Sequence, residues 1–315
     1  MPVAVEEIDA TTAADDVLLA IYAVEAACDV DAYGRPQRTA ADAVAYLRHP
    51  PADEVRRRWL VRDGGRVVGN AALFVHGPSM VYVQLQVDPA ARRRGIGTAL
   101  LEAVGAAARE AGLASFFAHH STPAGAAFAH RVGAVDGQRD VRSELRLADV
   151  RLEPRPPPGY ELRSWRGAAP GDLVESYAEA HEAMNDAPGP EGLRDRPWTV
   201  ERVRALEEAS RRRDRELRVT VALADGAVAA FTELRVSAPP AGNATTEDTA
   251  TLADHRGRGL ARAVKSEALH LLRLERPDVE RVTTLNAESN AAMRAVNHDL
   301  GFAPVATLTT TVLQP

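Results

Sequence analysis

Two basic, glycine-containing segments carry the residues best suited to chemistry. Arg92-Arg93-Arg94-Gly95-Ile96-Gly97 and Arg256-Gly257-Arg258-Gly259-Leu260-Ala261 each follow an extended stretch and each open into an apolar run at helical spacing. A loop that enters a helix in this way presents free N–H groups and the positive end of the helix dipole. Its glycines let the backbone approach a ligand closely, so the pattern predicts an anion site, above all for phosphate. A dinucleotide fingerprint would need a third small residue three places after the second glycine, where Leu100 stands. The Gly-Lys-Ser/Thr triplet of nucleotide-hydrolysing loops is absent. Beside the second loop lie three carboxylates that can accept a proton: Glu247 and Asp248 just upstream, and Glu233 on the preceding strand. The first loop has Gln84 and Gln86 there, and neither can act as a base.

The elements that must hold these loops follow from periodicity. Val83, Leu85 and Val87 alternate with Gln84, Gln86 and Asp88, the pattern of a half-buried strand, and Pro89 ends it. Ile96, Leu100, Leu101, Val104 and Ala108 then form one helical stripe, as do Leu260, Val264, Leu269, Leu271 and Leu272 in the second copy. Each helix is followed by a short strand (113–118; 281–285), another helical stretch, and Gly133-Ala134 or Gly301-Phe302. Upstream of the first loop the chain reads as a strand at 3–8, helices at 13–27 and 39–48 with a polar loop at 29–37, and a hairpin around Asp63-Gly64-Gly65; 143–147 reads as a last strand. The second copy repeats this with a strand at 160–165, helices at 172–184 and 200–213 (Thr199 as N-cap), a hairpin around Asp225-Gly226, loops at 185–198 and 239–242, and 307–313 closing its sheet. The proline-rich stretch 151–159 divides the copies, giving spans of 1–150 and 160–315.

Composition narrows the class. The 315 residues are 45% hydrophobic, enough for two ordinary cores. Cys28 is the single cysteine, which excludes an intrachain disulfide framework and fits a reducing, cytoplasmic compartment. No basic-apolar leader and no bilayer-length apolar run is visible, so no membrane partner is expected, and the formal charge of −6 argues against nucleic acid.

The loop sequences resemble motif A of the GNAT superfamily of acetyl-CoA-dependent N-acetyltransferases, R/Q-x-x-G-x-G/A, and the order of elements after each loop resembles the second half of a GNAT domain. The resemblance covers most of the chain as two tandem copies, an arrangement found in mycothiol synthase, whose C-terminal copy is the working one. It implies two α/β domains, each a mixed, mostly antiparallel sheet flanked by helices. It also implies acetyl-CoA as co-substrate, with the pyrophosphate on the loop N–H groups and the pantetheine along the preceding strand. Carried over residue by residue, the cofactor positions are Gln86, Val87, Arg92, Arg93, Arg94, Gly95, Ile96, Gly97 and Thr98 in the first copy. In the second they are Ala250, Thr251, Arg256, Gly257, Arg258, Gly259, Leu260, Ala261, Arg262, Asn286 and Asn290.

The resemblance also assigns roles: a carboxylate on or near the motif strand as base, and a tyrosine four residues before the late glycine as acid to the leaving sulfur. The second copy offers Glu247 and Asp248, which strand alternation sends to opposite faces, with Glu247 expected to turn inward; Glu233 and His181 are the reserves. Asn297 stands in the tyrosine position, with His298 beside it, and Ala129 stands there in the first copy. Thr122 is the first copy's counterpart of Asn290, and His119 and His120 lie at its strand end. The segment 181–188 reads first as a helix end running into a proline-ended turn; as a functional segment, its Glu182 or Asp186 would bind a cationic acceptor, whereas Trp165, Tyr177 and Trp198 read as core. The expected function is metal-free acetyl transfer to the primary amine of a small molecule, in the second copy, by a monomer or homodimer. The rival reading is a CoA-binding pseudoenzyme that senses acyl-CoA.

Overall fold

In a computed structural model the described residues are 3–50, 54–76, 80–150, 152, 154–186, 197–238 and 242–314. The elements in chain order are β1 (Val5–Ile8), α1 (Asp15–Tyr33), α2 (Ala40–Arg48), β2 (Val55–Asp63), β3 (Arg66–His76), β4 (Met80–Val87), α3 (Ile96–Glu110), β5 (Phe116–His120), α4 (Pro123–Arg131) and β6 (Val135–Arg146). They continue with β7 (Glu161–Arg166), α5 (Val174–His181), α6 (Val200–Arg212), β8 (Arg215–Ala224), β9 (Ala227–Ser237), β10 (Gly242–Thr251), α7 (Leu260–Glu275), β11 (Val279–Ala287), α8 (Ala291–Asp299) and β12 (Ala303–Leu313). Among the described residues no helix is long and apolar enough to cross a membrane.

The chain forms two compact α/β units, residues 1–139 with 306–315 and residues 140–305. The first unit's sheet runs β1-β2-β3-β4-β5-β12 and the second's β7-β8-β9-β10-β11-β6. In each the pairing is antiparallel except at one junction, β4 with β5 and β10 with β11. The units differ from the consecutive spans 1–150 and 160–315 at these sixth strands. Residues 140–146 of β6, expected to finish the first sheet, pair with β11 (Asp140 opposite Ala287). Residues 309–313 of β12, expected to close the second, pair with β5 (Thr309 opposite His120). Equivalent last strands from two copies present similar edges, so alternation alone does not say which sheet each joins. Truncation after Val305 should therefore strip the first unit and not the second. Hydrogen exchange is expected to show lost protection at 116–120 with protection at 279–287 kept.

Apolar faces set the layers. In the first unit, Val83, Trp59 and Leu73 pack against Ile96, Leu100 and Val104 of α3, and on the other face Leu60 and Val67 meet Leu18, Ile21 and Leu47 of α1 and α2. In the second, Leu234, Val236 and Val282 meet Leu269 and Leu272 of α7, while Val219, Val221 and Phe231 meet Tyr177 and Val203 of α5 and α6. Helix α1 continues through the polar stretch expected as loop. Asp29 accepts from the Gln37 backbone N–H (2.9 Å), Asp31 pairs with Arg92 (2.8 Å), and the helix ends only at Gly34, in the left-handed conformation (φ 75°). The described part of the proline-rich linker, 152 and 154–159, holds no helix or strand. Helix α6 is capped as expected, Thr199 Oγ1 accepting from Arg202 N at 3.3 Å. Thr199→Ala should cost about 1 kcal/mol in the unfolding free energy of the second unit, read from denaturant melts.

Candidate active site

The two parallel junctions position the site. Strands β4 and β5 are paired only at Tyr82 opposite Phe117, so Val83–Val87 and 118–120 diverge. Strands β10 and β11 are paired up to Thr245 opposite Thr283, beyond which 246–251 and 284–287 part. A wedge between parallel strands leaves backbone N–H and C=O groups free to pair with an extended ligand. At the end of each wedge stands a motif loop. Arg93 and Gly257 take the same left-handed conformation (φ 65° and 75°), as do Gly95 and Gly259 (φ 81° and 79°), so the two loops follow one backbone path. Neither α3 nor α7 has a side-chain cap or an acidic residue in its first turn, which leaves both helix starts open to an anion.

The motif side chains brace these loops. Arg92 Nε donates to Val87 O (3.3 Å) and Arg256 Nε to the corresponding Thr251 O (3.1 Å), tying each loop to the end of its strand. Arg94 pairs with Asp63 (2.9 Å), and Arg258 donates to the Tyr160 hydroxyl (3.0 Å). Ile96, Leu260 and Ala250 are buried in the cores. Gly97 lies under Phe128, where a Cβ would meet the ring at 3.2 Å. Thr98 Oγ1 accepts from Arg131 (3.3 Å), while Ala261 and Arg262 fall in the first turn of α7. In the first unit the wedge widens into a cavity of about 560 Å³ bounded by β4, β5, the motif loop, α1 and α4. Gln84 and Gln86 line it and bond each other at 3.1 Å, and His119 Nδ1 meets the Tyr82 hydroxyl at 3.3 Å. Cys28 lines it as well, but burial pushes its thiol up to about 11, so it is protonated at neutral pH.

The second unit gathers the ionisable groups. His181 ends α5 and is 2% exposed; its Nε2 is 3.1 Å from Glu233 Oε1 on β9, and its Nδ1 is 3.9 Å from Asp248 Oδ2 on β10. Among the described residues Nδ1 has no hydrogen-bond partner. The Tyr177 hydroxyl donates to the same Glu233 oxygen, and Trp198 stacks on the imidazole at 3.9 Å with planes 19° apart. Glu182 accepts from the Trp198 backbone N–H, which fixes the segment carrying that ring. Burial acts to raise the Glu233 carboxyl, but hydrogen bonds from His181 and Tyr177 and the imidazole's charge hold it below the usual range. Asp248 is walled by protein yet 38% exposed on its open side; burial first, then the charge of Glu233, raises it to about 6. Burial and Glu233 also push the Tyr177 phenol well above its ordinary value.

Several expectations change here. Thr246 faces Leu234 and Thr249 faces Thr232, so Glu247 and Asp248 together oppose the single residue Glu233. This β-bulge breaks the alternation, and the two carboxylates do not go to opposite faces. Asp248 reaches His181, whereas Glu247 lies farther along the same side against Arg235 (3.5 Å). The inward carboxylate is thus Asp248 rather than Glu247. Its counterpart Gln84 belongs to the polar set of β4, and that set faces α1 through Gln86, Asn70, Arg58 and Glu25, while Val83 packs in the α3 core. Asn290 caps α8, its Oδ1 accepting from Met293 N (3.1 Å). Asn297 is 3% exposed and donates to Asn286 Oδ1 at 2.6 Å, its own Oδ1 having no partner among the described residues. His298 is 85% exposed and faces Asp299. The side chains of Asn185 and Asp186, and the loop 187–196, lie outside the described residues.

Residues 55–133 match the acetyltransferase (GNAT) domain and residues 177–302 the acetyltransferase (GNAT) family. Mycothiol acetyltransferase of Beutenbergia cavernae is 31% identical over 315 residues, 96% of each chain, and that of Nocardia farcinica is 31% identical over 268 residues, 83% of each. The chain is a tandem GNAT N-acetyltransferase. Among solved structures, a tandem GNAT protein from the clavulanic acid biosynthesis pathway superposes with a TM-score of 0.83 at 27% identity, covering 99% of this chain and 98% of that one. A GCN5-related N-acetyltransferase from Sphaerobacter thermophilus shares the fold, with a TM-score of 0.73 at 18% identity over 98% of this chain and 95% of that one. The Asp248–His181–Glu233 cluster lies where β10 parts from β11. Sequence reasoning named all three residues but not their assembly, because His181 arrives from a helix some fifty residues upstream of Glu233.

Proposed function

We propose that this acetyltransferase moves an acetyl group from acetyl-CoA to the primary amine of a small molecule, with the chemistry in residues 140–305. The observation that carries this reading is the buried His181 placed between Glu233 and Asp248 at the mouth of the β10–β11 wedge. The motif loop at Arg256, Gly257, Arg258, Gly259, Leu260 and Ala261 would hold the pyrophosphate on its N–H groups. Free backbone groups of 246–251, with Ala250 and Thr251, would take the pantetheine. The amine nitrogen attacks the thioester carbonyl, the C–S bond breaks, and CoA leaves as thiolate. The proton shed by the amine goes to Asp248, whose charge His181 offsets and whose neighbour Glu233 holds the imidazole in place. No side chain need protonate the sulfur, since a thiolate whose thiol has a pKa of about 8.5 departs unaided. The first unit has the wedge, the loop and a cavity of about 560 Å³ but glutamines on its strand, and fits binding without turnover.

Release of CoA thiol with a panel of amines, acceptors of the mycothiol type first, tests the activity. Acetyl-CoA binding without turnover on any amine would favour the sensor reading for the whole chain. Gly259→Val should weaken acetyl-CoA binding in the second unit at least tenfold, because a β-branched residue resists φ 79° at the loop's turn. Calorimetry is expected to resolve that loss from an unchanged second binding event in the first unit.

A further inference from the structure

We propose that His120, His130 and Asp136 form a binding site for a divalent transition-metal ion at the rim of the first unit's cavity. The three residues come from three successive elements: the last residue of β5, the C-terminal turn of α4 and the start of β6. One ligand atom from each lies within 4.8 Å of the other two. Both imidazoles address a single carboxylate through Nε2, His120 at 3.2 Å from Oδ1 and His130 at 3.0 Å from Oδ2. In a tetrahedral site with bonds of about 2.0–2.1 Å, neighbouring ligand atoms stand about 3.3–3.4 Å apart. The two histidine–aspartate edges already have nearly this length, and the three ligand atoms need only draw together from within 4.8 Å of one another, each histidine carrying its proton on Nδ1 and giving the Nε2 lone pair.

The donor set selects the metal. Two imidazoles and one carboxylate suit zinc, cobalt, nickel or copper, whereas magnesium and calcium prefer all-oxygen sites. His130 and Asp136 are 61% and 40% exposed, so the fourth position opens to solvent and the ion has an entry path. His120 is only 13% exposed and is held from two sides. Its backbone pairs with Thr309 of β12, and Gly125 on the first turn of α4 leaves it room, since a Cβ there would meet the His120 Cβ at 3.0 Å. His120 also lines the cavity. An ion on these ligands ties β5, α4 and β6 together at the cavity mouth. The second unit lacks the set: aligning Gly133-Ala134 on Gly301-Phe302 puts Glu288, His298 and Pro304 at the three positions.

The test uses the full chain, stripped with chelator, and titrates zinc chloride by calorimetry, with cobalt(II) absorption reporting geometry. One equivalent of zinc is expected to bind and to raise the thermal midpoint of the first unit, and cobalt(II) is expected to show the intense visible bands of a four-coordinate ion. His130→Ala and Asp136→Asn, both at partly exposed positions the fold tolerates, should each lower zinc affinity at least tenfold and abolish the thermal shift. His298→Ala, at the counterpart position in the second unit, should leave binding intact. Equal zinc affinity in both first-unit variants and the wild type, or no saturable binding at all, would overturn the assignment. Acetyl-CoA binding to the first unit, measured in parallel, distinguishes loss of the ion site from collapse of the cavity: it should persist in Asp136→Asn.

Discussion

Asp248→Asn should lower the turnover rate by about 10²–10⁴-fold near neutral pH, the range expected when a general base is removed. The amide keeps the size and the bulge but cannot take the proton. Asp248 is raised to about 6 by burial and by Glu233, so in the wild type it is ionised and ready as pH rises through that value. The wild-type rate is expected to climb with the same midpoint, and that limb should vanish in the variant. Activity of the variant should instead recover at high pH, where the acceptor amine loses its proton without help. Glu247→Gln, at the Arg235 pair, should change the rate far less and keep the acidic limb. His181→Asn should shift the midpoint upward, because the positive partner beside Asp248 and the donor to Glu233 are both removed. Comparable, pH-independent losses in Asp248→Asn and Glu247→Gln would refute the assignment.

That prediction differs from the one alternation suggests, and the difference shows what was legible in the chain. The motif loops were legible because their chemistry is local: arginine, glycine and an amphipathic start lie within six residues, and in both copies the loop opens into the expected helix. Helix α6 was legible from Thr199 for the same reason. The bulge at Glu247 and Asp248 was not, because it depends on how β10 registers against β9, and nothing within the strand announces an extra residue. The exchanged strands were hidden by the repeat itself. Each copy is followed by a strand that fits either sheet, and only packing decides that 140–146 joins β11 and 309–313 joins β5. Helix α1 outran its predicted end because Asp29 and Asp31 found partners from outside the helix. His181 looked like a helix terminus, and only the folded chain brings it to Glu233.

Lys265→Met should stabilise the second unit by as much as about 4 kcal/mol at pH 7. Lys265 sits on the buried face of α7, 2% exposed, with its ammonium 5.4 Å from the Phe302 ring centroid. The apolar stripe read from the sequence is Leu260, Val264, Leu269, Leu271 and Leu272, and it does not include this lysine; the corresponding residue of α3 is Leu101. Burial lowers the amine from the ordinary 10.5 to about 7. The sign follows from proton counting. Between about pH 7 and 10.5 the unfolded chain holds a proton on this lysine that the folded chain has shed, so wild-type stability rises with pH across that window. Below pH 7 both states are protonated, and the folded one keeps an ammonium in apolar surroundings at full cost. Methionine fills a similar volume without the charge and removes both the cost and the slope. Urea melts of wild type and variant, followed by hydrogen exchange at α7 amides, should give two curves that differ most at low pH and converge toward pH 10. The stability difference should shrink by about 1.4 kcal/mol for each pH unit inside the window. A variant less stable than wild type at pH 7, with an unchanged pH slope, would show that Lys265 is instead held as an ammonium by a partner that methionine removes.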